Sequence, residues 1–143
     1  MRKTHMVAMA TGAALLSSAA LAQSSRPTLF TVMLQGEQVT RAADEDGTGT
    51  ARIRIKADRG QLCYTLTARN IDTATLAHIH EGAPGTDGPV VVDLVPPVRG
   101  ASTGCVNVGK QLATEIAMTP GDYYVVVHNA EFPAGALRGQ MGR

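Results

Sequence analysis

The sequence predicts an all-β fold, an antiparallel Greek-key sandwich or barrel of about eight strands with one short helix. Short segments rich in Val, Ile, Leu and Tyr recur along the chain, several of them alternating polar with apolar residues. Clusters of Gly, Pro, Asp and Thr separate them at the spacing of turns. Only residues 109–121 keep apolar side chains at helical intervals.

The first strand is read at 29–36, LFTVMLQG, after the polar lead-in QSSRPT. RAADEDGTGT then gathers charges and glycines as a loop. In ARIRIKAD, Ile53 and Ile55 face one way and Arg52, Arg54 and Lys56 the other, as in a half-buried strand. Arg59-Gly60 joins it to QLCYTLTAR, where Leu62, Tyr64 and Leu66 share a face, so the pair reads as a β-hairpin. Further strands are predicted at 75–81, 89–95, 104–108, 122–129 and 136–141. In GKQLATEIAMTPG, Leu112, Ile116 and Met118 fit one or two helical turns, ended by Pro120-Gly121.

The N-terminus has the form of a cleaved leader. Arg2 and Lys3 precede an apolar stretch that ends at Ala20-Leu21-Ala22, before polar Gln23-Ser24-Ser25. Residues 1–22 are therefore expected to be a signal peptide and residues 23–143 one domain, periplasmic or secreted, with no membrane span after cleavage. The full chain carries a formal net charge of +1, and loss of Arg2 and Lys3 would leave −1. No basic patch for nucleic acid survives that balance. Cys63 and Cys105 are expected to form a disulfide in an oxidising compartment, although two thiolate ligands are the competing reading.

The chemistry-bearing residues cluster. His78 and His80 lie one residue apart on a predicted strand, so both project from one face, roughly 6.5–7 Å apart. His128, with these two, completes the histidines beyond the leader, and each lies near a Gly/Pro-rich loop. Two readings compete: the rings brace the loops EGAPGTDG and NAEFPAGA by backbone hydrogen bonds, or they converge on a metal ion. Three imidazoles suit copper or zinc, whereas calcium and magnesium favour oxygen donors. Glu81, Asp87, Asp93 and Glu131 are read chiefly as solvated loop charges, with an imidazole-orienting acceptor, Glu81 the candidate, as the competing reading. Met33, Met118 and Met141 are expected to fill core gaps. The serines lack a nucleophile elbow or a neighbouring histidine, so an ordinary hydrolase ranks below a metal site or a binding module.

The segments AHIHEGAPGTDGPVVVDL and YYVVVHNAEFPAGALRGQM resemble the CHRD domain, named for chordin and found alone in many exported bacterial proteins. His78-x-His80, Gly88-Pro89-Val90-Val91, the run from His128 to Phe132-Pro133-Ala134-Gly135, and Arg138-Gly139-Gln140 carry the resemblance. It implies an extracellular domain that contacts another protein, with no assigned activity among the bacterial members. The layout is also similar to Cu/Zn superoxide dismutases, which carry a His-x-His strand in a Greek-key β-barrel, a distant histidine and a disulfide. A superoxide-dismutase-like or immunoglobulin-like layout is thus expected, with copper at His78, His80 and His128; Arg138 is read as pairing with a carboxylate or capping carbonyls, with an anion-attracting cation as the competing role. Those enzymes use four histidines on copper and a separate zinc cluster, so catalysis does not transfer with the layout. The alternative is an extracellular protein-binding or structural module without metal.

Overall fold

The computed structural model describes residues 26–142; the leader expected at 1–22 lies outside them. The strands are β1 (Thr28–Gln35), β2 (Thr48–Lys56), β3 (Gln61–Arg69), β4 (Ala74–Glu81), β5 (Val90–Leu94), β6 (Ala101–Asn107), β7 (Tyr123–Asn129) and β8 (Leu137–Gln140), with α1 at Lys110–Met118. One antiparallel sheet runs in the order β5-β4-β7-β8-β1-β2-β3-β6. β1 to β3 form a meander, while β3 pairs β6 and β4 pairs β7, the exchanges that make a Greek key.

The sheet curls until its two edges meet, giving a nearly closed barrel. β5 and β6 share no ladder; a side-chain seam joins them instead. The Val95 amide donates to the Tyr64 hydroxyl at 2.8 Å, and the Ser102 hydroxyl donates to the Val95 carbonyl at 2.6 Å. Gly104 makes room for that tyrosine, because a Cβ there would lie 2.6 Å from its oxygen. The seam occupies edge groups that would otherwise offer a template for another strand.

Alternation fills the barrel as the sequence requires. Phe30, Ile53 and Tyr64 lie in one register row across β1, β2 and β3, all buried. Ala77 and Ile79 of β4 and Val125 and Val127 of β7 complete the inner wall opposite. Ala113 and Ile116 of α1 are also buried in the core, but Met118 is exposed. At 100° per residue Met118 lies 200° round from Ile116, so it cannot share the buried stripe. Met141 is in the core as expected, whereas Met33 is exposed on β1.

β6 begins at Ala101 rather than at 104, since Ala101, Ser102 and Thr103 pair with Thr67, Leu66 and Thr65. Polar cross-strand neighbours, including a Thr65–Thr103 contact, form this stretch without an apolar run to announce it. Cys63 and Cys105 are direct register partners on β3 and β6 and form the expected disulfide. No described helix is long and apolar enough to cross a membrane.

A three-histidine site on the outer face of β4 and β7

The barrel core takes Ala77 and Ile79, so alternation turns His78 and His80 outward. In β7 the core takes Tyr123, Val125 and Val127, which sends Tyr124, Val126 and His128 to the same outer face. Register sets His78 opposite Val126 and His80 opposite Tyr124, with His128 one pair further along. All of β7 is buried, because the outward residues are covered by the segments 82–89 and 130–136 that follow the two strands. A shift in the β4–β5 register falls between Ile79 and His80, where Val91 of β5 is the extra residue of a bulge beside the site.

One nitrogen of each ring in that group lies within 4.8 Å of the others. A metal with bonds of about 2.0–2.1 Å in a trigonal plane needs nitrogens roughly 3.5 Å apart. His78 Nδ1 and His128 Nε2 are already 3.2 Å apart. Side-chain rotation of about 1 Å closes the remainder without moving the strands, and the rings can then hold a metal ion.

The loops decide which nitrogens are free. His80 Nδ1 lies 2.9 Å from the Gly88 carbonyl, and His128 Nδ1 lies 3.0 Å from the Pro133 carbonyl. A carbonyl only accepts, so each Nδ1 carries its proton and each Nε2 is unprotonated, that of His128 accepting from His78 Nδ1 at 3.2 Å. His80 Nε2 is buried without a hydrogen-bond partner. An acceptor left so costs about 1–3 kcal/mol, which a hydrogen-bond donor or a metal ion at that position would relieve. The loop-bracing and metal-holding readings are therefore one arrangement: each ring uses one nitrogen for its loop and keeps the other for a ligand.

His78 works the other way round. Its Nδ1 faces His128, and its Nε2 lies 3.6 Å from Asp93 Oδ1, the residue paired with it on β5. With Nδ1 as ligand, the Nε2 proton lies on the side of that exposed carboxylate, beyond hydrogen-bond length. Asp93 thus stands where Glu81 was the candidate. Glu81 falls on the opposite parity of β4 from the two histidines and makes no ion pair or side-chain hydrogen bond among the described residues. Burial, the largest influence, lowers the basicity of His78, as does His80, while Asp93 opposes them. Burial likewise lowers that of His128, helped by the two neighbouring rings and opposed by the Pro133 bond. Both shifts favour the neutral ring, the form that ligates.

Arg138 is not among the ligating atoms. It pairs with Val126 in the register, is buried, and sets its guanidinium 3.6 Å over the Tyr124 ring. Tyr124 stacks on His80, centroids 5.0 Å apart and planes 14° from parallel, and its hydroxyl accepts the Gly88 amide at 2.9 Å. β4 and β8 flank β7, so the tyrosine ring separates Arg138 from the triad. Asp87 pairs with arginines rather than with a histidine. Tyr124 and the two carbonyls were missed by the sequence reading; the parity of 124, 126 and 128 was the signal for the tyrosine, and nothing in the sequence marks a carbonyl.

The family model for the CHRD domain matches residues 30–141, nearly the whole described chain. The chain belongs to the CHRD-domain family. No curated protein and no solved structure matches it significantly. CHRD domains are extracellular, and the disulfide of this one fits an oxidising environment. The two segments that carry the family resemblance are, in this CHRD domain, β4 and β5 with the loop between them and β7 and β8 with theirs.

Proposed function

We propose that this CHRD domain is a periplasmic or secreted copper-binding protein that holds one ion through His78 Nδ1, His80 Nε2 and His128 Nε2. The observation that carries the reading is the convergence of three ring nitrogens within 4.8 Å, and it is supported by a buried His80 Nε2 that has no hydrogen-bond partner. Copper is favoured by the all-imidazole donor set, with zinc as the alternative. A three-histidine centre keeps a position open, which suits copper handling as well as superoxide-dismutase-like redox chemistry. The family match supports an extracellular binding module in either case.

Titration of the purified protein with Cu(II), Cu(I) and Zn(II) tests the proposal. One equivalent should bind, and His80→Ala should lower affinity far more than it lowers the stability of the metal-free protein. Absence of uptake at micromolar metal, or equal loss of folding and binding, would leave an extracellular protein-binding or structural module.

A further inference from the structure

Arg138 is a buried ion held by long polar contacts and by the Tyr124 ring. Its side chain is only 4% exposed, yet Nη1 lies 3.5 Å from Asp87 Oδ1 and Nη2 lies 3.4 Å from both the Ala83 carbonyl and Gln140 Oε1. Strong N–H···O bonds lie at about 2.7–3.2 Å, and a charge this buried is ordinarily paired closely. Arg138 lines a cavity of about 230 Å³ that Arg41, Thr40, Val39, Val126 and Ala134 also line. At about 30 Å³ per water, that space has room for about seven waters, the size of a small organic molecule.

Asp87, also on this wall, displays what the wall recognises. Its carboxylate accepts the Thr40 hydroxyl at 2.6 Å and lies 3.6 Å from Arg41 Nε as well as 3.5 Å from Arg138. Two guanidiniums share this one carboxylate, so the wall keeps an excess positive charge. Asp87 sits on the exposed 82–89 loop with its side chain 54% exposed, so water can take it up when a competitor arrives. Beside the guanidiniums, Val39, Val126 and Ala134 offer apolar surface.

We infer that this cavity binds a small carboxylate with an apolar body, with Arg138 and Arg41 receiving the charge and Asp87 acting as a built-in competitor. The planar fork of arginine matches a carboxylate's two oxygens, and the valines match a hydrocarbon tail. His80 also lines the cavity, so the ligand lies beside the triad. Neither arginine bonds to a triad ring among the described residues, so this site stands whether or not a metal is held.

Calorimetric titration with butyrate, on the protein as purified and again after chelation, tests the assignment. Saturable one-to-one binding is expected in both samples, with none for the neutral butyramide. Asp87→Asn, which keeps the shape and removes the competing charge, should tighten butyrate binding by about tenfold, and Arg41→Gln at the exposed rim should weaken it with the fold intact. N-acetyl-valyl-alanine binding more tightly than butyrate, with its amidated form inert, would support the site and assign the carboxylate to a peptide end. No saturable butyrate binding at millimolar concentrations, unchanged or weaker binding in Asp87→Asn, or inorganic phosphate binding as tightly as butyrate would overturn it.

Discussion

At the scale of single residues, the protein turns on which ring nitrogen is left without a proton. Gly88 and Pro133 settle this for His80 and His128 by accepting from Nδ1. The depressed basicity of His78 and His128 has a consequence for the metal-free protein. The unfolded chain takes up protons near the ordinary value of about 6.5, and the folded chain only at lower pH. Below about pH 6.5 the unfolded state therefore binds more protons, and stability falls on acidification until the folded rings also protonate. Denaturant midpoints measured across that window should decline toward acid, and His128→Gln should flatten the slope. Tyr124→Phe keeps the stacking ring and removes the acceptor for the Gly88 amide. Chemical denaturation should read a loss of about 1 kcal/mol, together with weaker copper binding as Gly88 loosens its hold on His80.

At the scale of elements, β4 and β7 make the site because both alternate between a core face and a loop-covered face. The loop after β4 returns against the end of that strand by a close approach that only glycine permits, since a Cβ at Gly88 would overlap the Glu81 carbonyl. Gly88→Ala must push the 82–89 segment off the strand end, and metal affinity should fall in titration while far-UV circular dichroism keeps its β signature. The seam between β5 and β6 makes a separate prediction. Tyr64→Phe leaves the Val95 amide without its acceptor, so a drop of about 1 kcal/mol in unfolding free energy is expected, with metal affinity unchanged.

For the whole molecule, the disulfide ties the edge strand β6 to β3 and closes a loop spanning 42 residues of sequence. On the chain-entropy account, that link stabilises by about 4 kcal/mol. Reduction should lower the melting temperature well before it touches the histidines, which lie on β4 and β7. A metal that binds the folded chain alone adds about 2.7 kcal/mol at a hundredfold excess over its dissociation constant. A copper-dependent rise in melting temperature, reversed by chelator and lost in His80→Ala, is the global readout of the triad.

The sequence by itself determined the strands, the parity of each face and the three candidate ligands, because alternation and turn chemistry are local properties of neighbouring residues. Ile53, Leu62 and Ile79 had to face inward, and His78 and His80 had to share a side. It misread Met118 and Glu81, where nearness along the chain stood in for position in space. Only the tertiary structure decided that His128 meets the other two, that Asp93 and not Glu81 lies beside a ring, and that Tyr124 stands between the triad and Arg138. Those relations depend on cross-strand register and on where loop carbonyls land, and a contact between residues 50 apart is fixed by the pairing of β4 with β7.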